Sequence, residues 1–571
     1  MGILLSFVPL LIMLAIVVLV VKRVSNRGAG LDSTAQPVRL FFQYALAFGL
    51  FMIVTVGVAG LLGRILDTSN IVNTDQSSLA SNLAFVVVGG PLLVGVTLWL
   101  KKSIAQTPTE GHGFIPTFYA TLASIISLLV FLSSSIAAFT NLIDSDTELG
   151  SSIAMAITWG TAWIIVLKIS NSIIPKNDFR IQYFVGSFIV ALAALIGFVQ
   201  VLAGVLETIL FQQILLGSQS ELLVSPNNAT WDGLATLVIA GVLWIFYWIK
   251  NANKVKTDGL WLGYVLIAGV GGTLIIAITS ITVSLYTVLV WLVGEPTSNN
   301  IAEHFAGLPQ SVAIAFAGLL FWWYHKSLLP LKPERTDIQR TYEYLMSAIS
   351  LIASAIGISI VIVALIESLT SQAQLTGPGA INTLLGAATV IAVAGPIWWR
   401  FWSRIQIYAR NSADSELSSP VRRIYLFLLF GVGGVVAIIS LITIVFQIFD
   451  GLLGPGLGTN TVNEMRFAIG ILVSTGIVAG YHWEIYRNEK SVEVAFAPSV
   501  ADVLLVGPND AQFVQTLKQA TGARVNLLQQ TDASDLVWPA DQVIELVKQS
   551  KDRDILILLE ATGVKVVPVT R

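Results

Sequence analysis

Four histidines, His112, His304, His325 and His482, are the side chains of this chain that could hold a metal or relay a proton near neutral pH. None has a second His or a carboxylate at a metal-ligand spacing on a shared helix face. Glu303 and His304 are adjacent, so they point in different directions. The absence of cysteine removes thiolate metal sites, disulfides and cysteine nucleophiles. No Ser-His-Asp, HExxH or paired-carboxylate arrangement falls on a predicted helix. Gly507-Pro508-Asn509-Asp510 lies between a predicted strand and a predicted helix, where backbone N–H groups could take an anion. It lacks the GxGxxG spacing and the Lys-Ser/Thr of a P-loop, and Asn509 or Asp510 reads as an ordinary N-cap. The expectation is a non-enzymatic protein with no catalytic site, cofactor or metal.

Two clusters of small hydroxyls remain. Ser280, Ser284 and Thr287 share one face of a predicted span, and Ser347, Ser350 and Ser354 share one face of another. Such faces let helices approach closely and hydrogen-bond across, or they line a narrow polar path. Trp398-Trp399-Arg400-Phe401-Trp402 offers a cation–π or headgroup site, or a base snorkelling beside an aromatic belt. Gly90-Pro91 and Gly395-Pro396 recur at related places and would loosen two helices. No predicted span places an Asp, Glu, Lys or His near its middle, so an intramembrane proton relay is not expected.

The elements that position these residues are long and apolar. The chain is 55 % hydrophobic and 12 % charged, whereas a soluble domain carries about 25 % charged residues. Arg180, Arg340 and Arg423 are each followed 27 residues later by an acid, Glu207, Glu367 and Asp450, across nearly continuous apolar sequence. As helix, 27 steps span about 40 Å, a bilayer with its headgroups. Arg39 and Asp67 repeat the arrangement with one extra residue.

Hydropathy and breakers predict thirteen spans, from 2–21 to 465–486. The first lacks a basic residue ahead of its apolar run and is followed by Lys22, Arg23 and Arg27, which predicts a retained anchor with its N-terminus outside. Thereafter 21 Lys and Arg residues, counted from Lys22 to Arg423, fall on one set of loops. Only Arg64 and Arg466 fall on the other set. Basic loops mark the cytoplasmic side, so the C-terminus is expected in the cytoplasm and the protein in a bacterial inner membrane. A net charge of −2 gives no hint of nucleic acid. Membrane lipids are the expected surroundings, with a possible protein partner for the cytoplasmic part.

After the first span the pattern reads as six helical hairpins with a period of roughly 65–85 residues. The returning helices share an ending measured from Gly160, Gly241, Gly318, Gly395 and Gly476. Seven residues on come Leu167, Trp248, His325, Trp402 and Trp483. With the opening arginines Arg180, Arg340 and Arg423, the residues Trp248, His325, Trp402 and Trp483 are expected as interfacial anchors. This combination resembles a bacterial family of repeated-hairpin multi-pass membrane domains of unknown function. The resemblance rests on Arg39 with Phe41, Arg180 with Tyr183, Arg340 with Tyr342, Arg423 with Tyr425, and the shared endings, over about 38–487. It implies architecture and no activity.

From about Ser491 the composition changes to alternating strands and helices, a small α/β domain. The expected organisation is an N-terminal transmembrane anchor and linker over 1–37, six hairpins over 38–490 and a cytoplasmic α/β domain over 491–571. The fold class is an all-α polytopic membrane protein of about thirteen transmembrane helices with that appendage. The expected function is a membrane scaffold or sensor. The alternative is a transporter or channel for a neutral or lipid-like solute.

Overall fold

The computed structural model describes residues 32–66, 76–107, 110, 113–144, 149–174, 180–210, 228–254, 258–330, 336–370, 379–411, 416–417, 419–454, 456–490, 500, 502–530, 536–550, 554–560 and 563–569. Twelve helices among them are long and apolar enough to cross a membrane. The expected span 2–21, Asp67 and His112 lie outside the described residues. The chain is a multi-pass membrane protein, all-α in its membrane part, with a small α/β domain.

The first eight helices are α1 (Asp32–Leu66), α2 (Gln76–Gln106), α3 (Phe114–Asp144), α4 (Leu149–Ile173), α5 (Arg180–Glu207), α6 (Asn228–Trp244), α7 (Gly259–Val293) and α8 (Leu308–Leu328). They are followed by α9 (Asp337–Thr370), α10 (Ala380–Asn411), α11 (Pro420–Leu453) and α12 (Thr459–Lys490). Helix α5 begins on Arg180 and ends on Glu207, while α9 and α11 reach three residues beyond Arg340 and Glu367, and Arg423 and Asp450. The charged ends stop each apolar run where lipid gives way to water. Helices α2 and α10 continue through Pro91 and Pro396. Just after α6 and within α7 the ladder loosens into π-helical turns at Ile245–Ile249 and Tyr264–Gly272.

The hairpins join in pairs. In α1–α4 the first helix meets the fourth: a Cβ on Gly63 would lie 3.8 Å from Ala154. In α5–α8, Leu195, Val199 and Ala203 pack on Ala313 and Ala317. In α9–α12 a Cβ on Gly470 would come 2.6 Å from the Ser359 carbonyl. The repeating element is therefore a set of four helices, present three times. A second register follows it: Arg39, Arg180 and Arg340 open the first helices, and Glu110, Asp258 and Glu416 stand 71, 78 and 76 residues later, after the second helices. Tyr119, Tyr264 and Tyr425 stand near the starts of the third helices.

The contacts divide the chain into two bodies, one running to Arg404 and taking in Gly434–Gly476, the other made of Ile405–Gly433 and the chain from Ile477. Within the first, the largest buried cluster centres on Trp248, Trp261, Tyr264, Val265 and Met346. Within the second lies a four-stranded sheet of β1 (Asp502–Gly507), β2 (Arg524–Gln529), β3 (Asp554–Glu560) and β4 (Gly563–Pro568), ordered β2-β1-β3-β4. Strands β2, β1 and β3 run parallel, and β4 closes the antiparallel hairpin on β3. Val503, Leu505, Ile555, Ile557 and Leu559 form a buried face with Phe513 and Leu517 of α13 (Ala511–Thr521) and Val543 and Val547 of α14 (Ala540–Gln549). The alternation of these strands is that of a sheet with one face buried.

Helix contact in this fold depends on backbone approach, which gives a test. A Cβ on Gly197 would sit 2.5 Å from the Leu237 nitrogen and 2.7 Å from the Gly233 carbonyl, so α5 and α6 would have to separate, whereas one on Gly241 meets nothing within 4 Å. Gly197→Ala should cost about 1–3 kcal/mol and lower the thermal midpoint of the purified protein. Gly241→Ala should leave it unchanged or raise it slightly.

Candidate functional site

Charged residues at the starts of α1 and α5 are engaged in ion pairs that tie each of these first helices to the loop after its hairpin. Arg39 pairs with Glu110, a buried carboxylate that also accepts the Ser103 hydroxyl at 2.5 Å. Arg180 donates to Asp258 at 2.8 Å. Asp258 is at the same time the N-cap of α7 and accepts the Trp261 N–H at 3.0 Å. Burial pushes the Asp258 carboxyl up, but the Trp261 N–H and the Arg180 guanidinium outweigh it and hold the group below its ordinary 3.8. Arg340 donates to Asp337 on its own helix at 2.7 Å, and the buried Glu343 is met by Arg404 at 3.2 Å. Arg423 is exposed. At the other helix ends Glu367 pairs with Arg466 at 3.2 Å, Glu207 is half-buried and Asp450 is exposed.

Next to the Arg180–Asp258 pair, the two π-helical turns carry a layer of buried aromatic residues. Trp248 donates its indole N–H to the Tyr324 hydroxyl at 2.9 Å, and Trp261 donates to Asn253 at 2.9 Å. Trp163 donates to Tyr247 at 2.7 Å, linking α4 to α6. His325 lies 5.7 Å from the Tyr264 ring and 6.0 Å from Trp248. Its Nδ1 contacts the Phe321 carbonyl at 2.8 Å, and Gly269 leaves the room its ring occupies. In the second body His482 repeats this arrangement, with Nδ1 2.8 Å from the Val478 carbonyl and the ring 5.7 Å from Tyr425.

Trp248, His325 and Trp402 are thus buried among helices and do not face lipid as a belt would. Of the expected anchors on the returning helices, Trp483 is exposed at 44 % and stacks on Phe430. In the Trp398–Trp402 stretch, Trp399 and Arg400 face outward. The difference has a physical cause: a helix that is apolar on every side carries no moment to say which face a neighbour will cover.

Four of the six small hydroxyls donate to helix carbonyls. Ser284 donates to Ser280 O at 2.9 Å and lies 2.8 Å from Ser311; Thr287 donates to Val283 O at 3.0 Å. Ser350 donates to Met346 O and Ser354 to Ser350 O, and Ser347 is buried beside them. These residues form contact faces. His304 is held 2.9 Å from the Thr287 carbonyl and beside Trp291. Among the described residues no group of three His, Cys, Asp or Glu converges. At the Gly507–Asp510 turn the Asp510 carboxylate accepts the Phe513 N–H at 2.9 Å, and Trp538 donates to the Pro508 carbonyl at 3.0 Å. A carboxylate already fills that helix N-terminus.

Sequence reasoning missed Glu110, Asp258, Glu343, Tyr264 and Tyr324. A signal was present for two of them, since Glu110 and Asp258 follow their arginines at nearly constant spacing and Asp258 precedes Gly259-Leu260-Trp261 as an N-cap does.

The family described as Domain of unknown function (DUF5671) matches the chain twice, over residues 40–168 and 340–477. The chain resembles that family in its first and third four-helix repeats. No curated protein and no solved structure matches.

The ion pair and the aromatic layer each have a measurable signature. Asp258→Asn keeps a good N-cap and removes only the charge, so it should cost less than about 1 kcal/mol for this partly screened pair. Because the Asp258 pKa is lowered on folding, that stabilisation is complete above the ordinary 3.8 and vanishes as pH falls through the folded value. Thermal midpoints of the two proteins should differ at pH 7 and converge below pH 3.8. Tyr324→Phe leaves the Trp248 indole without its acceptor and should cost about 1–3 kcal/mol.

Proposed function

We propose that this protein is a non-enzymatic scaffold or sensor of the bacterial inner membrane, with its N-terminus outside and its α/β domain in the cytoplasm. The observation that carries the reading is the packed interior of the second repeat. Trp248, Trp261 and Tyr247 are fully buried at its arginine end, and the Ser284 and Thr287 hydroxyls donate to carbonyls of their own helix, as Ser350 and Ser354 do in the third repeat. A conducting path needs polar groups left over for a solute, and a relay needs charges at mid-span. Here the carboxylates lie toward helix ends and loops, with Glu110, Asp258, Glu343 and Glu367 paired. That distribution speaks against the transporter alternative and against catalysis within the membrane.

The α/β domain supplies the means of signalling. Opposite its buried face, β1 and β3 present Leu504, Val506, Leu556 and Leu558, all only half-buried, and Val537 is 83 % exposed. An apolar sheet face of this kind suits a cytoplasmic protein partner. The bias of 21 basic residues against two supports placing this domain inside the cell.

Two measurements test the reading. The chain has no native cysteine, so single cysteines report topology cleanly. In intact cells an impermeant maleimide should label Gly456→Cys and leave Lys254→Cys and Lys548→Cys untouched; labelling of either lysine variant would reverse the orientation. In sealed liposomes the purified protein should not speed the decay of an imposed proton gradient or the escape of trapped glycerol. Sustained glycerol flux would replace the scaffold or sensor with a transporter.

A further inference from the structure

The first repeat differs from the second at its centre. A cavity of about 160 Å³ lies among α1, α2, α3 and α4, lined by Tyr44, Phe48, Leu100, Tyr119, Ala123 and Ser170 among others. Its size matches an engineered apolar cavity of roughly 150 Å³ that stays dry and binds benzene. The lining is almost wholly apolar, with two exceptions that matter. The Tyr44 and Tyr119 hydroxyls are buried and have no hydrogen-bond partner among the described residues, and Tyr119 is only 4 % exposed. Both tyrosines line the cavity, and their rings lie nearly parallel with centroids 6.4 Å apart. Buried hydroxyls are normally satisfied, so two of them beside an apolar space describe a ligand: an uncharged body with an oxygen that can pair with them.

The architecture does not force this space. Leu100 stands ten residues before Glu110, as Trp248 stands ten before Asp258, and Tyr119 and Tyr264 both stand near the starts of their third helices. In the second repeat Trp248 packs 4.5 Å from Tyr264, with His325 beside them. The first repeat has leucine where the second has the indole, and the cavity lies there. Its charged pair is at hand but already spent, since Arg39 and Ser103 both serve Glu110. No cation or anion is called for. The outward faces of α1 and α2 carry Phe42, Leu46, Val94 and Leu98, all exposed, so the site is approached from lipid.

We propose that the first repeat binds a neutral amphiphile dissolved in the bilayer, with an apolar segment of ring or short-chain size in the cavity and a hydroxyl or carbonyl oxygen on Tyr44 and Tyr119. The binding stands whether the protein acts as a scaffold, a sensor or a carrier, and neither the topology nor the flux measurement bears on it.

The test uses 3-azioctanol, an uncharged eight-carbon photoactivatable alcohol, on the full chain in phosphatidylcholine nanodiscs, with adducts mapped by peptide mass spectrometry. Adducts should concentrate on the segments around Tyr44 and Tyr119, and 1-octanol should compete for them while octane at equal membrane concentration should not. Leu100→Trp, which copies the second repeat, should abolish this labelling while leaving the thermal midpoint unchanged or higher. Tyr119→Phe, which removes a single oxygen, should weaken 1-octanol competition by roughly three- to tenfold. Adducts spread evenly over lipid-facing helices, competition by octane equal to that by octanol, or undiminished labelling in a folded Leu100→Trp protein would each overturn the proposal.

Discussion

Helices surrounded by lipid gain nothing by hiding apolar surface from one another, because lipid tails are as apolar as leucine. Their association has to come from close packing, and the rest of this structure follows from where backbones can touch. Gly197 lies against the Leu237 nitrogen, Gly233 against Gln200, and Gly357 against Ile391. Each removes a side chain at a crossing and lets dispersion contacts accumulate over neighbouring turns. The same rule governs the contact of first with fourth helix in the third repeat, where Gly470 stands at the crossing. Small hydroxyls join these faces at no polar cost, because a serine in mid-helix can return its proton to the carbonyl four residues back. Ser350 and Ser354 do so in succession along α9.

Close packing also explains which parts of the fold could be read from the residues alone. Charge at the ends of apolar runs is a one-dimensional signal, and the spacing of Arg180 to Glu207 predicts the helix that forms to the residue. The turn, strand and helix signals of the C-terminal domain are equally local, and DVLLVG, RVNLLQ, DILILLE and GVKVVP are the strands. Lateral order is different in kind. Nothing in the hydropathy of α4 or α8 says which side meets α1 or α5, because all sides are apolar. Hence Trp248 and Trp402, expected at a lipid–water belt, are core residues instead. Pairing of hairpins into four-helix repeats becomes legible only when Glu110 and Asp258 are connected with Arg39 and Arg180, at 71 and 78 residues of separation.

The three four-helix sets differ at the arginine end. The second copy fills it with Trp248, Tyr264 and His325, and distorts α6 and α7 into π-helical turns to do so. A π turn shifts the side chains beyond it around the axis, which lets an indole point into the bundle instead of along it. The first copy keeps regular helices, smaller side chains and the cavity. The third repeats the histidine and tyrosine of the second as His482 and Tyr425.

The placement of charge bears on what such a bundle can do when something binds. An ion pair at mid-span would cost several kcal/mol and would resist any movement that separated its members. Pairs at the ends cost far less, since water reaches one side of Arg39 and of Asp258. They fasten the start of a first helix to the loop that follows its hairpin, and they leave the helices between free to shift by small rigid motions. A ligand entering one repeat would then move whole helices against those fixed ends. The movement would pass along α5, whose Gln182 accepts the Ser124 hydroxyl of α3 at 2.9 Å across the junction of the first two repeats. That buried hydrogen bond and the one from Trp163 to Tyr247 both join the first repeat to the second, so the two repeats must agree on position there.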